Sequence, residues 1–529
     1  MTFKVKNTDV GNTYDLYTRH CANGSIQVEG IDYFSSYAAI ATADSIRICI
    51  AFGASKMMLV FALDIGNAYQ TNLQKLSQRV YVKCPPLYAE WFKDRYPNHP
   101  LPPTKTFYVL QAVHSIQGTR SAGNEWFEFS FKIFKKMGMV QNATDNTVFT
   151  FRYDNDWLIL LTNVDDFLTL TSTKEFYLKV KNKLASMFDI TPQEGPVIKF
   201  LNLRIISSPT AISIDQTRHT LDTIEPFFPR PHHFSKVHTP LRTDKKFETE
   251  YADSLPATKE ELHELEIEFG GAYLTLYGKL LHIATITRPQ IANALSRFGK
   301  FQSCPNRFAF QGLRRIFQYL ASYPNVPLTY PKKPLSTITP IACFHQTRTL
   351  DVPHALSQFI DSNYATDLSD RKSVSSDIIL LGSVAVSWKV TKDMSIASST
   401  TDAETRAAFK GVKRLITIRN FFAHLGFPIP TPTPVFEDNK GTYGLIQKGR
   451  RTPRVKHIDV PLCYLHEKHK SGEFTIIECP TSLMLADGLN KGLSGNTLRT
   501  HSNLYTGRKF IPHSSTDHYR ELTTLCPLS

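Results

Sequence analysis

The stretch W-L-I-L-L-T-N-V-D-D-F-L-T-L-T-S, residues 157–172, places two adjacent aspartates between two apolar runs. The runs at 158–164 and 167–171 are rich in β-branched and large apolar residues, which predicts the two strands of a hairpin. Asp165 and Asp166 would then lie at its turn. Neighbouring carboxylates repel each other and are costly to bury, so a divalent cation is a suitable partner for them. The alternative is a surface turn that is merely acidic, because Asp is a common turn residue.

Composition indicates a soluble protein with more than one domain. The chain has 529 residues, of which 42% are hydrophobic and 20% charged, which excludes a disordered chain. A net charge of +14 favours a polyanionic partner such as nucleic acid. The eight cysteines form no C-x-x-C pair, and no signal peptide or membrane-spanning run is visible. We therefore expect an intracellular protein, in a cytoplasmic particle or the nucleus, that is not secreted and has no membrane partner.

A second carboxylate lies at the end of another apolar run. In M-L-V-F-A-L-D-I-G-N-A-Y-Q, residues 58–70, the run ends on Asp64, and Tyr69 follows five residues later. A carboxylate at the end of a core strand is a recurrent metal-binding position. The alternative is a helix N-cap Asp followed by a core Tyr.

A polar segment precedes a predicted helix at 122–137. Gln117 and Arg120 lie in Q-G-T-R-S-A-G, where Gly118 and Gly123 would permit close approach of a ligand. An ordinary loop that enters a helix is the alternative.

A further set of acidic residues follows the Pro-rich segment at 323–352. Asp361 ends an apolar run, Glu404 lies in a predicted helix, Asp438 ends a strand, and Asp487 follows the last strand. Each residue alone is a common surface or capping residue. Four carboxylates placed in this order at strand ends and on a helix can hold two divalent ions.

The order of these motifs resembles that in the reverse transcriptases of Ty1/Copia-type retrotransposons. D-I-G-N-A-Y, Q-G-T-x-S-A-G-x-x-W-F and V-D-D occur in the family's order, with further similar segments at 30–41, 189–205 and 278–292. The C-terminal part resembles the family's ribonuclease H domain, with motif matches at Asp361, Glu404, Asp438, 456–459 and Asp487. The resemblance covers about residues 19–512.

The resemblance implies an α+β and α/β multidomain fold, with a palm-fingers-thumb right hand followed by a ribonuclease H-like domain. We expect the following boundaries: fingers and palm at 1–240, a helical thumb or connection at 241–330, a linker at 331–355, the ribonuclease H-like domain at 356–500, and a tail at 501–529.

The resemblance also implies two activities, RNA-directed DNA polymerase and ribonuclease H, each with two Mg²⁺ ions, for which Mn²⁺ could substitute. Its partners would be an RNA template, a DNA primer, dNTPs and an RNA/DNA hybrid. The implied metal ligands are Asp64, Asp165 and Asp166 in the polymerase, and Asp361, Glu404, Asp438 and Asp487 in the nuclease. The implied nucleotide-binding residues are Tyr69, Gln117, Gly118, Arg120 and Arg19.

The sequence departs from the family pattern in four places. Asn163 occupies a position where the family usually has Tyr, the lysines of the fingers motif are missing, and only the first carboxylate of the nuclease D-A-D motif remains, at Asp361. The chain also begins close to the fingers, which suggests a fragment of a Pol polyprotein. Two alternatives follow: a decayed, inactive copy that still binds nucleic acid, or a protein in which only the nuclease is active.

Overall fold

The computed structural model describes residues 2–7, 14–19, 21–71, 80–84, 88–99, 109–228, 234–333, 356–449 and 459–508. This part of the chain has a mixed α/β architecture with several sheets, as the motifs predicted. None of its helices has the length and apolar character that crossing a bilayer demands.

The N-terminal part is built on a sheet that contains the V-D-D hairpin. Its elements are β1 (Thr2–Asn7), β2 (Tyr14–Arg19), α1 (Ala43–Ser55), β3 (Leu59–Ile65), α2 (Ala68–Thr71), β4 (Tyr81–Lys83), α3 (Tyr88–Arg95), β5 (Val109–Gln111), α4 (Ala122–Lys136), β6 (Val140–Gln141), β7 (Val148–Tyr153), β8 (Asp156–Asn163), β9 (Asp166–Thr171), α5 (Lys174–Ala185) and β10 (Ile190–Gln193). Strands β10, β3, β9, β8, β7 and β6 hydrogen-bond in that order and form the central sheet. The predicted hairpin is confirmed as β8 and β9.

A helical segment follows, and along the chain it lies between strands of a second sheet. Its elements are β11 (Val197–Phe200), β12 (Leu203–Ser207), β13 (Ala211–Asp215), α6 (Thr217–Ile224), α7 (Phe247–Asp253), α8 (Lys259–Glu268), α9 (Tyr273–Ile286), α10 (Ala292–Phe298), α11 (Arg307–Ser322) and β14 (Leu328–Pro331). Strand β14 returns to pair with β13, so the helices leave and rejoin the same sheet. A capping box between Thr258 and Glu261 fixes the start of α8.

The C-terminal part has its own sheet and five helices among its described residues. Its elements are β15 (Leu356–Asn363), β16 (Val374–Leu381), β17 (Val384–Lys392), α12 (Thr400–His424), β18 (Thr433–Glu437), α13 (Lys440–Lys448), α14 (Asp459–Lys470), β19 (Phe474–Glu478), α15 (Asp487–Asn490) and α16 (Gly495–Tyr505). The strand order is β17-β16-β15-β18-β19, with the first three antiparallel and the last two parallel to β15. The apolar runs and helical patterns after residue 355 predict three strands, a helix, a strand, two helices, a strand and a helix, and the structure confirms this order, with α16 following.

The predicted domain boundaries stay predictions. Residues 334–355 of the predicted linker, and residues 509–529 of the predicted tail, lie outside the described residues. Helix α16 extends past residue 500, up to Tyr505.

Helix α1 lies between the N-terminal and C-terminal parts, where every side chain from residue 45 to residue 55 is buried. A helix buried on all sides belongs inside a core rather than at a surface. Phe52 packs edge-on against Phe422 of α12, with ring centroids 5.7 Å apart. The same apolar cluster includes Leu168 of the central sheet and Ile378 of the C-terminal sheet. The two parts therefore share one hydrophobic core.

A buried arginine crosses this shared core. The Arg47 side chain is 2% exposed, and its guanidinium lies 3.9 Å from the ring centroid of Trp388. Its Nε donates to the Val386 carbonyl at 2.8 Å, and one terminal nitrogen donates to the Ile286 carbonyl at 3.0 Å. The other terminal nitrogen binds the Asp44 carboxylate. One side chain of α1 thus satisfies backbone groups of the helical segment and of the C-terminal sheet.

Candidate active sites

Strand pairing gathers the three aspartates predicted for the polymerase. Asp64 near the end of β3 is the cross-strand partner of Asp166, the first residue of β9. Asp165 precedes it in the turn, where its carbonyl accepts a hydrogen bond from the Ile65 amide at 2.8 Å. The central sheet therefore brings all three residues to one edge.

The charges at this edge perturb one another. Burial first, and then the nearby Asp165 and Asp64, raise the pKa of Asp166 to about 6. Asp165 is exposed, and the other two are partly buried, so a cation can reach them from solvent. Their oxygens are not among the described groups of three acidic side chains that lie within 4.8 Å of one another. One ion held by all three therefore requires side-chain rotation or bridging water.

The hairpin turn is strained and held by a tryptophan. Val164 has a φ of +50°, in a region that β-branched residues rarely adopt. The buried Trp126 of α4 donates from Nε1 to the Val164 carbonyl at 2.6 Å. Sequence reasoning missed this role, although Trp126 belongs to the quoted Q-G-T-x-S-A-G-x-x-W-F motif.

We expect Trp126→Phe to destabilise the hairpin turn. The substitution removes the donor and leaves the Val164 carbonyl unsatisfied, at a cost of about 1–3 kcal/mol. Thermal unfolding measures the loss of stability, and kcat/KM for primer extension, the activity that the motif resemblance implies, should fall by roughly tenfold. Trp91→Phe is the matched control, since Trp91 is 55% exposed on α3 and should tolerate the change. An unchanged kcat/KM in Trp126→Phe would show that the bond does not position Asp165.

The loop after Asp64 places Tyr69 near the hairpin. A Cβ added at Gly66 would lie 2.4 Å from Oδ2 of Asp189, so a larger residue at position 66 would displace that carboxylate. Tyr69 follows at the start of α2. Burial first, and then the charge of Asp165, raise the pKa of its phenol. Tyr69 therefore lies within electrostatic range of Asp165, while its nucleotide-binding role stays a prediction.

The other predicted nucleotide-binding residues pack on the loop at 21–27. The Gln117 carbonyl accepts from the Ala22 amide at 2.8 Å, and Arg120 donates from Nε to the Gly24 carbonyl at 3.1 Å. Gly118 has a φ of +97°, and a Cβ there would lie 2.2 Å from the Ala22 carbonyl. The segment at 117–120 therefore packs against the loop at 21–27, while the nucleotide-binding role of Gln117, Gly118 and Arg120 stays a prediction.

Two further residues are Arg19, which is predicted to bind nucleotide, and Asn163, which departs from the family pattern. Arg19 is the last residue of β2, and its side chain lies outside the described part of the chain. Asn163 has a buried Oδ1 with no hydrogen-bond partner among the described residues. It pairs across the hairpin with Asp166, so this polar oxygen lies beside the candidate metal site.

The four acidic residues predicted for the nuclease also come together, and a fifth joins them. Asp361, Asp438 and Asp487 form one group whose oxygens lie within 4.8 Å of one another, and Glu404, Glu437 and Asp438 form a second. Asp438 belongs to both groups. We refer to these five residues as the acidic cluster. Sequence reasoning missed Glu437, which directly precedes Asp438.

Close packing holds the acidic cluster in place. A Cβ added at Gly411 of α12 would lie 2.9 Å from Cδ1 of Ile360, so glycine lets this helix approach β15 and brings Glu404 near Asp361. The short helix α15 is fixed by side chains around it. Ser376 donates to the Ala486 carbonyl at 3.1 Å, and Asn363 donates to the Asn490 carbonyl at 3.0 Å.

A lysine already neutralises part of the acidic cluster. Nζ of Lys491 lies 2.9 Å from Oδ1 of Asp361 and 2.7 Å from Oδ1 of Asp487. Burial lowers the pKa of this lysine, but the two carboxylates outweigh it, and the pKa is raised above its usual value. Sequence reasoning missed Lys491. Its position four residues after Asp487 is the helical spacing that could have indicated the pair.

The acidic cluster contains five carboxyl groups, and Lys491 pairs with two of them. Burial first, and then the neighbouring carboxylates, raise the pKa values of Glu404, Glu437 and Asp487. Asp361 and Glu437 are fully buried, and Glu404 is 7% exposed. One oxygen of each has no hydrogen-bond partner among the described residues. Buried carboxylate oxygens without donors are suitable ligands for hard divalent cations such as Mg²⁺ or Mn²⁺.

Comparisons with known proteins agree with the motifs. Residues 1–228 match the family model for reverse transcriptase (RNA-dependent DNA polymerase). The chain is 26% identical over 493 residues to the retrovirus-related Pol polyprotein from transposon RE1 of Arabidopsis thaliana, covering 93% of this chain and 30% of that protein. It is 24% identical over 497 residues to the corresponding polyprotein from transposon TNT 1-94 of Nicotiana tabacum, covering 93% and 34%.

A solved structure also matches the chain. It contains the N-terminal RNase H domain of a Mycobacterium tuberculosis protein fused to maltose-binding protein. It is 13% identical and covers 28% of this chain and 96% of that chain, with a TM-score of 0.19, which is too low to support a conclusion.

The chain spans about a third of the length of the curated relatives it matches. The motif resemblance is nevertheless confirmed along nearly the whole chain, since both alignments cover 93% of it. Residues 1–228 therefore match the reverse transcriptase family model, within a chain that is similar over almost its full length to retrovirus-related Pol polyproteins.

Proposed function

We propose that this chain is an RNA-directed DNA polymerase that also cleaves the RNA strand of RNA/DNA hybrids. The observation that carries the proposal is the presence of two separate carboxylate sites, one at the end of the central sheet and one in the C-terminal part. Three of the seven predicted metal ligands lie at the first site, and the other four lie at the second. The retention of all seven carboxylates favours an active enzyme over a decayed copy, because random mutation without selection would be expected to remove some of them.

In the polymerase site, Asp64, Asp165 and Asp166 would hold Mg²⁺ beside the primer terminus. Asp166 is mostly ionised at neutral pH, since its pKa is about 6. Tyr69 would pack under the sugar of the incoming dNTP and exclude a 2′-hydroxyl. Arg120 and the backbone at 117–118 would line the pocket for its triphosphate.

In the nuclease site, Asp361, Glu404, Asp438 and Asp487 would hold Mg²⁺, with Lys491 keeping Asp361 and Asp487 in position. When bound, Mg²⁺ would neutralise phosphate charge and activate the attacking oxygen, a primer hydroxyl in the first site and water in the second. The domain would select a hybrid by its A-like shape and its 2′-hydroxyls rather than by its sequence. The basic net charge would strengthen binding to template and primer.

Primer extension on poly(rA)/oligo(dT) with Mg²⁺ tests the polymerase. We expect extension by the wild-type chain, and a fall of roughly 10³-fold or more in Asp165→Asn, because the loss of a metal ligand costs several kcal/mol of transition-state stabilisation. Hybrid cleavage by the same variant should stay unchanged, which is the internal control for folding.

Two results would contradict the polymerase proposal. Hybrid binding without extension by the wild-type chain, with or without Mg²⁺, would favour an inactive nucleic-acid-binding copy. Cleavage of the hybrid without any extension would favour a protein in which only the nuclease is active.

A further inference from the structure

Glu437 is a buried carboxylate that the proposed mechanism does not use. It is the last residue of β18, between the parallel neighbours β15 and β19, and its side chain is fully buried. Its Oε1 accepts from the Asn439 amide at 3.1 Å, whereas its Oε2 has no hydrogen-bond partner among the described residues. A buried carboxylate with an unsatisfied oxygen is costly unless another group compensates it.

The position of Glu437 within the acidic cluster indicates what that group is. Its carboxylate lies within 4.8 Å of oxygens of Glu404 and Asp438, while Asp438 also belongs to the group with Asp361 and Asp487. Two groups of three oxygens that share one carboxylate match the arrangement in which two divalent ions lie about 4 Å apart. Lys491 contacts only the first group, so the second lacks a comparable cation among the described residues.

Charge balance supports the same arrangement. With cations bound and all five carboxylates ionised, the acidic cluster and the Lys491 ammonium would together carry four negative charges, which two divalent cations match. Without Glu437, two divalent cations would leave the site with excess positive charge before the substrate phosphate binds.

We propose that Glu437 is a fifth ligand of the nuclease site, which completes a cation site with Glu404 and Asp438. The inference rests on the proposed nuclease function, since it places one of that reaction's ions. It adds a residue that the four-carboxylate motif set does not contain. A carboxylate here would tighten cation binding and lower the Mg²⁺ or Mn²⁺ concentration at which the second ion is held.

Direct Mn²⁺ binding to the full chain tests this role without relying on activity. All variants carry Asp165→Asn to weaken the polymerase site, and the electron spin resonance signal of free Mn²⁺ reports binding. We expect Glu437→Gln to weaken binding of one Mn²⁺ ion by about tenfold or more, by analogy with the loss of other metal-site groups. The matched control is Glu478→Gln, because Glu478 is the cross-strand partner of Glu437 on β19 and is 51% exposed.

A stability measurement covers the possibility of misfolding. Because Glu437→Gln keeps the size of the side chain but replaces a carboxylate oxygen with an amide, the metal-free variant should unfold at a temperature close to that of its parent and gain less from Mn²⁺. Glu437→Asp retains the charge and should keep a larger part of the gain.

Two outcomes separate this inference from the function on which it rests. Unchanged Mn²⁺ binding in Glu437→Gln, together with weakened binding in Glu404→Gln, would show that Glu437 is not a ligand while the nuclease site stands. Unchanged binding in both variants would overturn the nuclease metal site itself.

Discussion

Replacing Asp361 with Asn should reduce cleavage of an RNA/DNA hybrid by about 10³-fold or more, because losing a metal ligand removes several kcal/mol of charge stabilisation. Asp361 is fully buried and belongs to the group with Asp438 and Asp487. An amide carries no charge, so it binds a divalent cation weakly and also loses the ion pair with Lys491. Primer extension by the same protein should stay within about threefold of wild type, since the polymerase carboxylates are untouched.

The control for this variant is Asp370→Asn, in the loop between β15 and β16. Asp370 is 36% exposed and paired with lysines, so its loss should leave both activities unchanged. Gel-resolved cleavage of a labelled hybrid and extension of a labelled primer are measured on the same preparations. Cleavage above a tenth of the wild-type rate in Asp361→Asn would refute the assignment of Asp361 as a metal ligand.

Arg47→Met should destabilise the chain by about 3–5 kcal/mol, the range observed when one partner of a buried ionic group is removed. The methionine fills much of the same volume, but it leaves the carbonyls of Val386 and Ile286 without their donor. The Asp44 carboxylate also loses the guanidinium that it contacts. Chemical denaturation followed by tryptophan fluorescence measures the loss. Trp388 lies under the guanidinium and should report it directly.

Two further variants are compared with Arg47→Met. Arg47→Lys keeps the charge but not the forked donors, so we expect a smaller loss than with Met. Arg218→Met removes an exposed pair with Asp222 and should cost no more than about 1 kcal/mol. A loss of similar size in Arg47→Met and Arg218→Met would mean that the buried contacts contribute little to stability.

The ends of the strands that position the carboxylates could be predicted from the sequence. Apolar runs stop at Asp64 and before Asp165, and the structure pairs β3 with β9 so that Asp64 and Asp166 face each other. The C-terminal order of strands and helices was also predicted correctly, and Gly382 with its positive φ marks the turn between β16 and β17. These features follow from the local spacing of apolar residues and from the positions of turn residues.

Other parts of the two carboxylate sites depend on how segments that are distant in the chain meet in the fold. Successive side chains of a strand point to opposite faces, so adjacent Glu437 and Asp438 would not be expected to converge. They join one cluster because β18 ends at Glu437. The left-handed backbone of Val164 could not be predicted either, since valine disfavours it and a distant indole, that of Trp126, holds the turn.

Helix α1, which packs against both the N-terminal and the C-terminal part, also limits how relatives of this chain can exchange segments. A chimera that takes residues 356–508 from another element would set a foreign strand against Arg47 and a foreign helix against Phe52. Such a hybrid polyprotein should fold well only if α1 is inherited together with the C-terminal half. Recombinants that survive in genomes should therefore show α1 and the C-terminal half changing together, although more than three hundred residues separate Arg47 from Val386 in the chain.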